Sequence, residues 1–274
     1  MSAGWLLADM ALNIWALSIV KALGLGYPAF QLVFLRAGVG FVIMLPWIWR
    51  YRHAFIGLQD LGLHALRVAF SATALTASFF AISRVPLALF TAVGFTRPIL
   101  TMIAAAWILR EVITRDRWIA AVIGFLGVII AVDPSSLTGG WGLAAQGLVV
   151  VAATGAVITT RRLVAAPTVV MMTFYTAGLA LITAPFAVIG WQPVPSGQWP
   201  ALLSIGVFAQ SAQFCFLRAH RYGQAGFLAV LSYASLVFST TVGYLIFDEI
   251  PQPHFWAGAA LIITATLWIT LTRR

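Results

Sequence analysis

The sequence predicts an all-α membrane protein: ten transmembrane helices laid out as two inverted five-helix repeats. Three observations lead there. The composition is too apolar for a water-exposed surface, long apolar runs follow one another with short polar links, and the chain resembles itself at an offset of about half its length. Of 274 residues, 62% are hydrophobic and 8% are charged, whereas a soluble domain carries about 25% charged residues. A helical span needs roughly 20 mostly apolar residues. Ten spans therefore leave room for connections and ends, and none for a soluble domain. A closed β-barrel would show short segments of alternating polarity, and these runs are continuous.

The runs, in order, are 4–23, 28–49, 62–83, 86–109, 117–133, 141–160, 168–190, 199–218, 223–247 and 254–272. The first has no basic segment before it and reads as a retained helix, not a cleaved signal. Pro28, Pro86 and Pro167 stand at or just before the starts of three runs, where a missing N–H costs least. The repeats take residues 1–135 and 139–274.

The net charge of +9 comes from fifteen Arg and one Lys, scattered singly or in small groups. No contiguous basic patch with interleaved aromatics exists, so nucleic acid is not an expected partner. The even-numbered links and the C-terminus hold Arg50, Arg52, Arg110, Arg115, Arg117, Arg161, Arg162, Arg218, Arg221, Arg273 and Arg274; the odd-numbered links hold only Lys21 and Arg84. Short basic loops stay cytoplasmic, which predicts a multi-pass inner-membrane protein with both termini in the cytoplasm. Cys215 is the only cysteine and lies in an apolar run. No disulfide framework, metal cluster or cofactor is expected.

A shift of 138 aligns Ala81 with Ala219, Glu111 with Glu249 and Trp118 with Trp256. A shift of 139 aligns Pro46 with Pro185, and a shift of 136 aligns Gly4-Trp5 with Gly140-Trp141. With five helices per repeat, the second copy enters the bilayer in the opposite sense. Inverted bundles around a midplane chamber are a physical route to alternating access.

The stretch Arg110-Glu111-Val112-Ile113-Thr114, followed by Trp118 and a helix with Gly124 and Gly127, resembles the EamA module of the drug/metabolite transporter superfamily. Its second copy is Asp248-Glu249-Ile250-Pro251, then Trp256-Ala257-Gly258. Asn13-Ile14-Trp15 through Lys21, and Arg36, also resemble that family. Ala120 departs from the usual Gly, and Pro251 and Pro253 are extra in the second link. The resemblance covers nearly the whole chain and implies a secondary transporter. Export of small metabolites by alternating access is the expectation, chiefly of amino acids, aromatic ones among them, and related amines. Uptake of S-adenosylmethionine or riboflavin is the alternative that the family holds open.

An ionised side chain at mid-bilayer costs about 2.5–3.5 kcal/mol on insertion scales, so it should face the bundle interior. At about 1.5 Å per residue, Arg36 lies roughly 12 Å and Arg97 roughly 16 Å below the outer surface. Pro98 should kink the fourth helix there. The planar fork of arginine suits a carboxylate, which makes Arg97 and Arg36 substrate-binding candidates; capping of broken-helix carbonyls is the other reading. Asp9 and Arg67 both lie near 8 Å from the inner surface. They are expected to pair as an inner gate with His64, which leaves the arginine chamber net positive. Asn13, Trp15, Phe79, Tyr175, Gln210, Gln213, Tyr233 and Ser235 complete the candidate substrate-binding set, by hydrogen bonding or by stacking. Hydroxyls in membrane helices often bond back to their own carbonyls instead.

Other classes fare worse. The one lysine, Lys21, sits in Val20-Lys21-Ala22, so no phosphate-cradling loop exists. No H-E-x-x-H or G-x-S-x-G motif appears, and no paired intramembrane carboxylates, so an enzyme is not expected. No repeated filter element suggests a channel. Apart from Asp9, no acid lies deep in a span, which favours facilitated diffusion while leaving a proton route through Asp9 or His64 open. The expected partners are a small-molecule substrate and membrane lipid. The chain is expected to be a monomer or a homodimer packed through Ala120, Gly124 and Gly127.

Overall fold

A computed structural model describes residues 1–23, 27–82, 84, 93–132, 140–248 and 253–271. Glu249, Arg273, Arg274 and the side chain of Phe79 fall outside it. The described residues are helical with short links. The α-helices are α1 (Ser2–Ala22), α2 (Ala29–Arg50), α3 (Leu61–Ile82), α4 (Arg97–Ile108), α5 (Arg115–Val132), α6 (Gly140–Arg162), α7 (Thr168–Ile189), α8 (Trp199–Tyr222), α9 (Ala225–Leu231), α10 (Ala234–Phe247) and α11 (Pro253–Leu271). Among the described residues, six stretches are long and apolar enough to cross a membrane: 30–50, 140–162, 168–189, 196–222, 225–246 and 253–271. Arg97–Ile108 is a shorter apolar helix. In lipid such runs close their own backbone hydrogen bonds by going helical.

Two expected helices are broken. The fourth run has helical Val93 and Gly94, a turn at Phe95 and Thr96, and then α4. Arg97 is therefore the first residue of a helix and not a point far down a continuous one. Pro98 stands in the first turn, where no intrahelical N–H is needed, so it starts α4 and does not kink it. The ninth run splits at Ser232–Tyr233 into α9 and α10.

Several irregularities come in pairs. Pro28 and Pro167 each precede a helix with φ −57°, and Pro46 and Pro185 sit inside those same helices. Arg110 and Asp248 take left-handed backbone at φ 55° and 54°. Each pair is separated by 138 or 139 positions, as are Phe95 and Tyr233 at the two breaks.

The N- and C-terminal segments interlock and do not form separate bundles. The most extensive packings join α1 to α8, α3 to α6, α5 to α11 and α2 to α7, each across the midpoint of the chain. Gln31 at the start of α2 meets Gln192 beyond the end of α7, while Met44 near the other end of α2 clusters with Met171 and Met172. The two helices are antiparallel. So are α5 and α11, with Ala131 against Gly258 at one end and Ala121 in one cluster with Ile269 at the other.

Lipid tails are as apolar as leucine, so helix association relies on close packing. The α5–α11 seam shows it: a Cβ on Gly258 would stand 2.6 Å from Ala131 Cβ and 2.7 Å from Ala131 N. A Cβ on Gly127 would stand 2.7 Å from Gly258 O, and one on Gly124 would stand 2.8 Å from the Tyr233 ring. Ala120 is fully buried. The three small residues considered for a dimer face are thus filled from within the chain.

Candidate functional site: a charged cavity beside the helix breaks

A cavity of about 490 Å³ lies among α1, α2, α4, α6, α7, α8, α9 and α10. Among the described residues, its walls come from the middle and the arginine-rich end of the bundle, and the Gln31 end contributes none of them. The two breaks bring short helix ends to it. Arg97 and Pro98 enter from the start of α4, Ser232 and Ser235 from the break between α9 and α10, and Leu228 and Ala229 from the wall of α9.

Arg97 is exposed although α4 is packed on α6 and α9, because its side chain faces the cavity. Among the described residues its guanidinium makes no hydrogen bond or ion pair. Arg36 donates from Nη2 to the Tyr175 hydroxyl at 3.1 Å, and both line the cavity. Asp9 also lines it, 8% exposed, and Asn13 one turn along α1 donates to its Oδ1 at 2.7 Å. Arg97 acts electrostatically on Asp9, with Arg36 behind it.

The structure does not bring Asp9, Arg67 and His64 together as the expected inner gate. Arg67 is buried and donates from Nε to Thr160 Oγ1 at 2.7 Å and from Nη1 to Met171 O at 2.9 Å, and its guanidinium lies 5.2 Å over the Tyr175 ring. It staples α3 to α6 and α7. His64 stacks on Phe174 at 4.7 Å and is buried away from the cavity. Depth along a helix put Asp9 and Arg67 at one level but said nothing of azimuth, and the helices turn them toward different neighbours. Among the described residues, one acid and two arginines line the chamber.

Of the other candidates, Asn13, Tyr175, Gln213 and Ser235 line the cavity. The Ser235 hydroxyl donates to Ser232 O at 2.7 Å, within its own helix break. Trp15 does not line it; it is 45% exposed on the bundle exterior. Gln210 is buried beside the cavity, where Oε1 accepts from Thr176 at 3.2 Å and Nε2 donates to Met44 Sδ at 2.6 Å. Tyr233 is fully buried against Gly124 and stacks on Phe95 at 5.9 Å. Phe79 cannot be assigned, since its side chain lies outside the described residues.

Sequence reasoning missed His220, Phe216 and Thr101, which also line the cavity. Thr101 was legible as one turn past Arg97. His220 sits in the last turn of α8, where a basic residue is an ordinary helix-end feature; nothing marked it as inward-facing.

A tie closes the bundle next to His220 and Ala225. Glu111 pairs with Arg161 at 3.1 Å and accepts from the N–H groups of Ala225 at 3.1 Å and Gly226 at 3.3 Å. Arg161 also donates to His220 O. One carboxylate thereby satisfies two N-terminal amides of α9. At the opposite end, Gln31 and Gln192 exchange two hydrogen bonds of 2.8 and 2.9 Å, and Tyr27 donates to Gln198.

The profile of the EamA-like transporter family matches this chain twice, over residues 2–132 and 140–271. An S-adenosylmethionine uptake transporter of Rickettsia prowazekii (strain Madrid E) is 28% identical over 93% of this chain and 87% of that protein. The pseudopaline exporter CntI of Pseudomonas aeruginosa (strain UCBPP-PA14) is 27% identical over 100% of this chain and 98% of that protein. A riboflavin transporter of Brucella anthropi is 26% identical over 89% of this chain and 88% of its own length. A crystal structure of another protein superposes with a TM-score of 0.86 at 19% identity, covering 100% of this chain and 99% of that one, a likeness of fold alone. These relatives are transporters and not enzymes. With two matches that between them span nearly all of the sequence, the chain belongs to the EamA-like transporter family, as a multi-pass helical membrane protein.

Proposed function

We propose that this chain carries small amino-acid-type metabolites through the bilayer by alternating access, with the substrate carboxylate held by Arg97 and Arg36. The observation that carries the reading is the exposed Arg97 fork at the first residue of α4, inside a cavity of about 490 Å³. A guanidinium aimed into a cavity suits a planar carboxylate, which takes two parallel N–H bonds. The unraveled turn beside it is the kind of broken helix on which carriers build midplane sites.

The architecture that goes with this reading is ten spans in two inverted repeats, 1–135 and 139–274, with both termini cytoplasmic. The paired prolines, the paired left-handed residues, the paired breaks and the antiparallel α2–α7 and α5–α11 contacts support it. Export of amino acids and related amines is the direction implied by the sequence resemblance. The relatives include an uptake carrier and an exporter, and one site serves either direction. S-adenosylmethionine, with its amino-acid head, falls within the proposed class.

The test is counterflow in proteoliposomes against amino acids, S-adenosylmethionine and riboflavin. Saturable, trans-stimulated flux of carboxylate-bearing solutes is expected. Arg97→Ala, monodisperse and with the wild-type melting point, should lose it. Unchanged transport by Arg97→Ala, or flux that does not saturate, overturns the reading.

A further inference from the structure

Among the described residues, Asp9 is the one acid lining the cavity, against two arginines. Were its role to neutralise Arg97, direct contact would serve best, because pairing at hydrogen-bond distance offsets the cost of burying both charges. Yet among the described residues no ion pair within 4 Å joins Asp9 to either arginine. The opposite charges line one cavity, of a volume fit for a small solute, without meeting in such a pair. Asn13 fixes the acid: its Nδ2 donates both to Asp9 Oδ1 at 2.7 Å and to Asp9 O at 3.1 Å. That geometry spends the amide's donors on Asp9 and leaves Asn13 Oδ1 as an acceptor in the same wall.

We infer that Asp9 and Asn13 form a cation subsite facing the Arg97 carboxylate subsite, so that the chain selects solutes bearing an ammonium-type positive group together with a carboxylate. The inference rests on the carboxylate reading above. An ammonium offers three donors and no acceptor, which matches a carboxylate and an amide oxygen. A zwitterion also enters without altering the net charge of the cavity. A simple monocarboxylate leaves Asp9 unanswered, and a cation without a carboxylate leaves Arg97 unanswered. The apolar remainder of the wall, including Leu6, Met10, Val157 and Phe216, is left for the solute's side chain.

The experiment compares matched solutes in proteoliposomes: phenylalanine with 3-phenylpropionate, and methionine with 4-(methylthio)butyrate. Wild type should prefer the ammonium-bearing member on the order of tenfold or more, the worth of a hydrogen bond to a charged group. Asp9→Asn, checked for a single monodisperse peak, should level that preference by losing the zwitterion and keeping or gaining the acid. Arg97→Ala should lose both members. If Asp9→Asn does not fold, Asn13→Ala should show a smaller loss of the same preference. Equal wild-type transport of both members overturns the cation subsite and leaves the carboxylate reading standing. So does an Asp9→Asn protein that loses both members alike or keeps the full preference. Wild-type transport of neither member in either pair overturns the cation subsite, and if S-adenosylmethionine is not carried either, the carboxylate reading falls with it.

Discussion

Phe95 and Tyr233 stack with centroids 5.9 Å apart and planes 22° from parallel, and each stands at the break of a helix, 138 positions from the other. The corresponding points of the two halves thus touch. Tyr233 is fully buried over Gly124, and among the described residues its hydroxyl has no partner. Tyr233→Phe should therefore be neutral or mildly stabilising, since it removes a polar atom that gains nothing. Tyr233→Ala should cost about 3–5 kcal/mol through the cavity left behind. Thermal unfolding in detergent, followed by size-exclusion profile, separates the two; equal destabilisation would show that the hydroxyl matters and the packing does not.

Gly258 is the tightest test of the α5–α11 seam. Any side chain there meets Ala131 at under 3 Å, and part of what it meets is backbone, which cannot turn aside. Gly258→Ala should cost at least about 1–3 kcal/mol as overpacking, and Gly258→Leu should yield little folded protein. Gly4 and Gly147 have open space around them, so Gly→Ala there should leave expression and melting point unchanged.

Glu111 and Arg161 are a partly buried pair, 8% and 17% exposed. Glu111→Ala should cost about 3–5 kcal/mol, because it strands Arg161 and frees two amides of α9 at once. Arg161→Ala should cost less, since the carboxylate keeps its amide donors. A double-mutant cycle should return a coupling of about 0.5–3 kcal/mol; additivity within error would deny that the pair acts as one unit.

Arg67 and Arg97 should part company by assay. Arg67 is committed to Thr160, Met171 and Tyr175, so Arg67→Ala should lower the melting point by several degrees, as loss of a buried hydrogen-bonded charge does. Arg97→Ala should leave the melting point near wild type and remove transport. The reverse pattern would exchange the two roles.

The class of fold and the membrane setting were legible in composition and run length, because hydrocarbon imposes one rule on every span. The offset of 138 was legible at Glu111 and Trp118, where a helix end, a polar link and a tryptophan follow in order. The breaks were not. Thr96-Arg97-Pro98 carries a visible signal, which in sequence suggests a kink within a helix and in the structure is a helix start. Ser232-Tyr233 carries no proline or glycine, so the apolar run passed through it unmarked. Among site residues, Arg36, Arg97, Asn13, Tyr175, Gln213 and Ser235 share the cavity, because burial of polar groups in an apolar chain points inward. Trp15, Arg67 and His64 lie away from it, because depth is readable from a run and azimuth is not when a helix is apolar all round.

Glu111 belongs to the first half of the chain, and the helix start it completes belongs to the second. With seven residues, α9 is too short to hold its shape by itself. The two copies are therefore not interchangeable bricks: each is an unfinished object until the other is present. Fragments made separately should stay poorly ordered until they meet, and a substitution in one copy will often show its damage in the other.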